Sequence, residues 1–597
     1  MCGLAGVYTA ETRRVTELES ITARMTDAIS HRGPDDHGIW VDPRGRASLG
    51  FRRLAIVDLS EQGHQPMLSA SGRFVMIFNG EVYNHRLLRR ELEQRGFRFR
   101  GHSDTEVILA AFEEWGIEVA TRRFVGMFAI AVWDTARSAL SLIRDRLGIK
   151  PLFIYHRPGV ITFGSELKAL FAGPEFDQTL DTGALTSYLR YLYVPAPRSI
   201  FRRVSKLLPG HILTIADPNE ALPAPKPFWS AHEVAETGAQ NQLDCSDEQA
   251  VAALEDVLSE AVQLRMQADV PLGALLSGGI DSSTVVALMQ ASSSRAVKTF
   301  TIGFDHRDYD EAAHARAVAN HLGTDHTELR LTGEDAQALV PRLAEMFDEP
   351  LADPSQIPTY LVCELARRQV TVALTGDGGD ELFAGYNRYV QGERLITQLE
   401  RWPHLLRRLS ASGLKRVSPR TWNQLRDGLR PVFPAAGRTR LFGDKMRKLG
   451  ELLRADSTQA MYQSLLSSWQ NPRELVAGGA DESFVSAPIA DELPLMEQLM
   501  LADQVSYLPD DLLAKVDRAS MAVSLEARVP ILDHRVVELS WRMPRRFKVR
   551  SGQGKWILRQ ILYKHIPREL VDREKMGFSV PLANWMSGPL REWAGDL

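Results

Sequence analysis

The hydrophobic rhythm of this 597-residue chain changes once, near Asp247, and that change limits what each half can fold into. Beyond Asp247 the apolar runs Val270–Leu276, Val297–Phe304, Thr327–Leu331 and Val370–Thr375 alternate with helical patterns. Such runs, separated by helices, predict a parallel α/β sheet. Before Asp247 short runs such as Phe74–Asn79 and Phe128–Trp133 read as strands. Asp104–Trp115 has helical spacing behind Ser103, a predicted N-cap. The Pro-rich stretch Pro218–Pro227 reads as a linker, and after Gly385 the pattern turns mostly helical. The chain therefore divides into residues 2–215, a linker over 216–246, and residues 247–597. The first part is β-rich with a few helices. The last is α/β with a helical C-terminal part.

Composition narrows the function classes. The chain has 71 basic and 75 acidic residues, a net charge of −4, so bulk charge steers it to neither nucleic acid nor membrane. No run of about 18 apolar residues exists, and no basic segment followed by an apolar stretch opens the chain. The three cysteines, Cys2, Cys245 and Cys363, are scattered without metal-ligand spacing. This pattern predicts a cytoplasmic protein, leaves Cys2 free to act as a thiol, and leaves a homodimer open. Arg401–Arg430 is basic, with Asp427 its only acid. It reads as a solvated helical face, with a docking surface for an acidic acceptor as the alternative.

The chain begins Met-Cys-Gly. Removal of Met1 would leave a thiol and a free α-amine on one residue, so the amine could activate the sulfur of Cys2. Downstream come Ser30–Asp35, Arg53-Leu54-Ala55-Ile56-Val57-Asp58, Asn79-Gly80-Glu81-Val82-Tyr83-Asn84 and Ser103-Asp104-Thr105-Glu106. Chemically these are parts of an amide hydrolase. A thiolate attacking a carboxamide makes a tetrahedral oxyanion that needs fixed donors. The Asn79 amide and the Gly80 N–H are the natural pair. Arg53 can take an α-carboxylate in bidentate fashion. Asp104 and the Glu81 segment can receive an α-ammonium.

The set Cys2, Arg53, Asn79-Gly80-Glu81 and Asp104 resembles the class II glutamine amidotransferase domain over roughly the first 215 residues. The resemblance implies an αββα N-terminal-nucleophile sandwich. It also implies a glutamine pocket to which Leu54, Ala55, Ile56 and Val57 contribute.

In the second half, Leu275-Leu276-Ser277-Gly278-Gly279-Ile280-Asp281-Ser282-Ser283 follows a predicted strand and opens a predicted helix. Its glycines expose backbone N–H groups at a helix N-terminus, which makes a pyrophosphate cradle. No Gly-Lys-Ser/Thr closes it, so it is not a Walker A loop. Ser-Gly-Gly-x-Asp-Ser resembles the PP-loop of ATP pyrophosphatases. Thr375-Gly376-Asp377-Gly378-Gly379-Asp380-Glu381 places acids in a Gly-rich loop, which suits Mg²⁺ beside a triphosphate. Leu508–Leu513, Lys515–Arg518, Glu526–Pro530, Gly554-Lys555 and Lys575–Phe578 follow.

Together these segments resemble the glutamine-hydrolysing asparagine synthetase (type B) family over nearly the whole chain. By that resemblance Leu276, Ser277, Gly278, Gly279, Asp281, Ser282, Ile302, Thr375 and Gly376 bind ATP. Asp281 and Asp380 hold Mg²⁺, and Lys555 stabilises the acyl-adenylate transition states. Where well-known members have Gly-Glu-Gly-Ser-Asp-Glu, this chain has Gly-Asp-Gly-Gly-Asp-Glu. Asp377 thus replaces a glutamate implicated in acyl-adenylate formation. Lys575–Pro581 resembles a branch that includes amidotransferases of surface-polysaccharide and natural-product pathways. The implied reaction is glutamine hydrolysis at Cys2, adenylation of a carboxylate by Mg-ATP, and amide formation. Aspartate is the first choice of acceptor, and a uronic acid or other metabolite carboxylate the alternative. Ammonia is expected to cross an internal apolar passage.

Overall fold

The computed structural model describes residues 2–304, 311–429, 442–479, 493–573, 582–588 and 590–596. The Lys575–Pro581 segment lies outside the described residues. No described helix is long and apolar enough to cross a membrane.

The N-terminal part builds two antiparallel sheets of six strands each among the described residues. In one, β1 (Gly3–Thr9) lies between β2 (Ala47–Arg53) and the strand Val160–Gly164. In the other, β3 (Phe74–Val82) pairs with β4 (Gly126–Asp134), from Phe74↔Asp134 to Val82↔Gly126. The sheets face each other through Leu4, Tyr8, Phe51, Ile77 and Trp133, all buried. Helix Val15–Asp27 covers the outer face of the first sheet. Helix α1 (Asp104–Trp115) covers the second, packing Val107, Ile108 and Phe112 against Phe74 and Phe128. The result is the four-layer αββα sandwich. Ser103 does precede α1 with extended backbone, but its side chain makes no capping bond. Its hydroxyl is buried without a hydrogen-bond partner.

Residues of the predicted linker do not run free. Lys226–Pro227 pairs with the strand His211–Ile215, and the helix Ala231–Gln240 packs on the helix His534–Arg542. Gly238 lies so close there that an added Cβ would meet Trp541.

The second half forms a fully parallel five-stranded sheet among the described residues. Its strands are β5 (Leu272–Leu275), β6 (Lys298–Phe304), β7 (Asp325–Leu331), β8 (Val372–Leu374) and β9 (Glu526–Arg528), in the spatial order β7-β6-β5-β8-β9. The apolar runs of the sequence supply the first four. β9 has three residues, two of them charged, and carries no such signal. Helix α2 (Ile280–Ala291) follows β5, and buried apolar layers cover both faces of the sheet. The order of strands reverses between β5 and β8. Loops leaving their carboxyl ends therefore diverge and leave a crevice, the usual ligand place in such sheets.

Downstream of Gly385 the described chain is helical apart from β9. Helix α3 (His404–Arg416) carries part of the basic segment, but its surface is not purely charged. Leu405 and Leu409 are 76% and 70% exposed beside the arginines.

Candidate active site

The first site forms where β1, β2 and β3 end together. Cys2 precedes β1, and its N–H donates to Asn79 Oδ1 at 2.8 Å. That bond turns the other end of the Asn79 amide away. Its Nδ2 is fully buried with no hydrogen-bond partner among the described residues. An orphaned buried donor is expensive unless something accepts from it. Gly80 stands next to it at φ +148°, and an added Cβ would lie 2.0 Å from the Met127 carbonyl oxygen. Only glycine lets β3 cross β4 this closely. The Cys2 thiol donates to the Leu54 carbonyl at 3.8 Å. Burial pushes that thiol above its ordinary range, so it needs a base to become a thiolate.

Cys2, Arg53, Leu54, Ile56, Val57, Gly80, Glu81 and Asp104 line one cavity. Arg53 is held in its wall, its guanidinium donating to the carbonyls of Asp58 and of Ser60, the latter at 3.1 Å. Asp104, at the start of α1, accepts from the Val82 N–H at 2.8 Å. Ala55 is not on that wall; its N–H donates to Asp35 at 2.9 Å. Glu526 is on it, although it belongs to β9 of the other half. The sequence shows Glu526-Ala527-Arg528 but not its place. Two charges in a strand leading into Val529-Pro530 were the available signal, because buried charges must be paired.

The two halves meet beside Cys2. Arg32, fully buried, donates from Nε to the Cys2 carbonyl at 3.1 Å. Its other nitrogens reach Glu166 at 2.6 Å and both oxygens of Asp517 at 2.8 and 2.9 Å. Behind this contact lies an interdomain cavity of about 50 Å³, bounded by Ile149, Leu152, Phe347 and Leu513 but also by Arg144 and Asp517. It is large enough for a guest the size of water or ammonia. Its wall mixes apolar and charged groups.

The second site occupies the β5/β8 crevice. After β5, Leu276 donates its N–H to Phe300 O at 2.9 Å, and the Ser277 and Ser282 hydroxyls bond at 3.0 Å. Ile302 is buried within β6. After β8, Thr375 donates its N–H to the Arg528 carbonyl at 2.8 Å, and its hydroxyl to Asp377 at 2.7 Å. Burial pushes the Asp377 carboxyl above its ordinary range. The two loops touch. An added Cβ on Gly376 would stand 2.5 Å from the Ser282 nitrogen, and one on Gly379 would stand 2.4 Å from Asp281 Oδ1.

Lys555 closes the site from the helix Trp556–Leu562, which it caps in the left-handed conformation. Its ammonium ion-pairs with Asp281 and, at 2.7 Å, with Asp380. Burial works against that charge, but Asp281 and Asp380 hold the ammonium well above its ordinary value. Two hard carboxylates from separate loops thus already converge on one cation. Among the described residues no group of three or more His, Cys, Asp or Glu side chains forms a metal site. Two carboxylates suffice for Mg²⁺, which takes its remaining oxygens from water and phosphate.

The asparagine synthase family model matches residues 253–597, and the glutamine amidotransferase domain model matches residues 1–229. The chain belongs to the asparagine synthase family. Glutamine-hydrolysing asparagine synthetase 1 of Bacillus subtilis is 32% identical over 601 residues, 100% of this chain and 90% of that one. Asparagine synthetase 3 of the same organism, also named glutamine-hydrolysing, is 29% identical over 602 residues, 96% and 86% of the two chains. The amidase chyE of Penicillium rubens is 30% identical over 618 residues, 97% and 87%. This family member carries an amidotransferase domain and a synthase domain in one chain.

Proposed function

We propose that this protein is a glutamine-dependent amide synthetase that makes asparagine from aspartate. One observation carries the reading: a Cys2–Asn79 amide-hydrolase geometry and a Lys555–Asp281–Asp380 cluster at a parallel-sheet crevice occur in one chain.

At the first site the α-amine of Cys2, exposed by loss of Met1, takes the thiol proton. The sulfur attacks the glutamine carboxamide. Asn79 Nδ2 and the Gly80 N–H receive the oxyanion, a role that the unpartnered buried Nδ2 supports. Arg53 holds the α-carboxylate. The amine returns its proton to the leaving nitrogen, the intermediate collapses to a thioester with loss of ammonia, and water then hydrolyses the thioester to glutamate and the free Cys2 thiol. Ammonia passes inward between the domains, where exclusion of bulk water keeps it unprotonated.

At the second site the Ser277–Ser282 turn holds the phosphates of ATP against the N-terminus of α2, and Leu276, Ile302, Thr375 and Gly376 bound the nucleotide. The acceptor carboxylate displaces pyrophosphate at the α-phosphorus. Asp281 and Asp380 would hold Mg²⁺, which would neutralise phosphate charge there. Lys555 meets the charge that develops on the transferring group, as a compact ammonium suits. Ammonia then attacks the acyl-adenylate and AMP leaves.

Amidation of another carboxylate is the second reading, favoured by Asp377 where well-known synthetases carry glutamate and by the likeness to the Penicillium amidase. A screen of carboxylates for glutamine- and ATP-dependent pyrophosphate release tests both. Release with aspartate alone supports the first. Release with a uronic acid or another metabolite acid, and none with aspartate, replaces it by the second.

A further inference from the structure

The wall of the Cys2 cavity that carries Arg53 is held from the other half of the chain. Residues 54–63 leave β2, and Leu54, Ile56, Val57 and Gly63 line the cavity beside Arg53. Leu54 and Ile56 are buried in the same apolar cluster as Leu258 and Val262 of the helix Asp247–Arg265. Polar ties add direction to that packing. Asp269 lies between this helix and β5. Its Oδ2 accepts from the Asp58 N–H at 2.9 Å, and its own N–H donates to the Ile56 carbonyl at 2.9 Å. His102, just before α1, places Nε2 3.0 Å from the same Oδ2. One synthase-domain residue thus brackets the segment from Ile56 to Asp58.

Asp58 is where the bracket reaches Arg53. It is completely buried and holds φ +59°. A residue with a side chain keeps that left-handed conformation when its surroundings fix it. Here both ends are fixed. The N–H goes to Asp269, the carboxylate accepts from the Ser60 and His102 N–H groups at 3.2 and 2.7 Å, and the carbonyl accepts from Arg53. The guanidinium also lies against Gly63, where an added Cβ would meet its Nη2. Asp269 itself stands on a fixed turn. The carbonyls of Arg265 and Gln267 accept from Nη1 of the buried Arg528 at 2.8 and 2.7 Å. Burial raises the Asp269 carboxyl, but the contacts with His102 and the Asp58 N–H prevail and hold it below its ordinary range. Asp269 is therefore an ionised acceptor, the stronger kind for a backbone N–H.

We propose that Asp269 is a positioning residue for glutamine hydrolysis: from the synthase domain it sets the Arg53 guanidinium at the Cys2 cavity through Asp58, so that the grip on the donor's α-carboxylate requires both domains to be docked. The proposal rests on the reading of the Cys2 cavity as a glutaminase site and adds the residue that aims its cation. It also links the two sites through one strand, because β5 begins at Leu272, just after Asp269, and runs into the Ser277–Ser282 turn of the nucleotide crevice.

The test uses the full-length enzyme and two substrates, glutamine and glutamine α-methyl ester, which has the same amide and α-amine but no α-carboxylate. Ammonia release is measured, and the readout is the ratio of the two kcat/KM values, which a merely structural role would not move. Asp269→Ala should lower kcat/KM for glutamine at least about tenfold, chiefly through KM, the scale of a lost bond to a charged group. Release from the ester should change little, so the preference for glutamine falls at least about fivefold. A smaller fall in that preference, including equal loss on both substrates, overturns the proposal. Equal use of both compounds by wild type overturns it too, because Arg53 would then grip no carboxylate. Should Asp269→Ala not fold, Asp269→Glu decides, since it moves the accepting oxygen by one methylene. Its preference falls at least about threefold if Asp269 sets Arg53 and by less if it does not. A wild-type enzyme that releases ammonia from neither compound would instead remove the glutaminase reading.

Discussion

Arg32 and Asp517 join the two domains through a two-pronged ion pair, 2.8 and 2.9 Å, buried beside the carbonyl of the proposed nucleophile Cys2. The same arginine contacts Glu166, so a single side chain ties the sandwich, the synthase domain and the cysteine together.

Removing one partner of such a pair strands the other in a dry interior. Asp517→Ala should destabilise the protein by about 3 kcal/mol or more, read as a fall in the thermal or urea midpoint. The pair also sets an acid limit. Burial pushes Asp517 up, but Arg32 prevails and holds it below its ordinary value of 3.8. A depressed native pKa contributes stability that is present above that ordinary value and lost as pH falls through the native one. Wild type should therefore lose midpoint stability below about pH 4 more steeply than Asp517→Asn. Equal acid sensitivity of the two would show that the pair carries no such stabilisation.

Gly80→Ala should abolish glutamine hydrolysis and leave ammonium-dependent synthesis. The new methyl would meet the Met127 carbonyl at 2.0 Å, and φ of +148° is foreign to alanine. Either β3 shifts off β4 or the Gly80 N–H turns away from the oxyanion. Glutaminase kcat should fall at least roughly a hundredfold, the scale of one lost oxyanion donor. Near-normal kcat would take Gly80 out of the hole.

Lys555→Ala should cripple amide synthesis from ammonium and from glutamine alike. Loss of about 3 kcal/mol of transition-state stabilisation lowers turnover roughly a hundredfold. Lys555→Arg should rescue poorly, because a planar fork cannot replace an ammonium seated between Asp281 and Asp380. Asp281→Asn and Asp380→Asn should lower pyrophosphate release by about 10–100-fold and raise the Mg²⁺ requirement, while basal glutaminase persists. A Lys555→Ala enzyme impaired only in its ATP requirement would place this lysine in nucleotide binding instead.

Much of this was legible in the residues because local and tertiary signals agree. Asp104–Trp115 is a helix over the predicted span, since its apolar face meets the second sheet. The apolar runs from Val270 to Thr375 become the parallel strands because strands covered on both faces read as continuous hydrophobic stretches. β9 escaped the sequence for the opposite reason. Glu526 and Arg528 are charged yet fully buried, and what permits it is a pairing with Glu81 that lies far away in sequence. Ser103 shows the limit of a local rule. The position is right for a cap, but its hydroxyl turns into the protein. Composition alone makes the Pro-rich segment a linker and does not reveal that Ala231–Gln240 packs against the synthase domain.

Cys2→Ala tests most directly whether two chemistries in one chain are joined by ammonia. The variant is assayed for amide synthesis with glutamine and, separately, with ammonium as the nitrogen source. Synthesis from glutamine should vanish and synthesis from ammonium should stay near wild type, because the Cys2 thiol serves only the first site. Loss of synthesis from both sources, or retention of both, would contradict it.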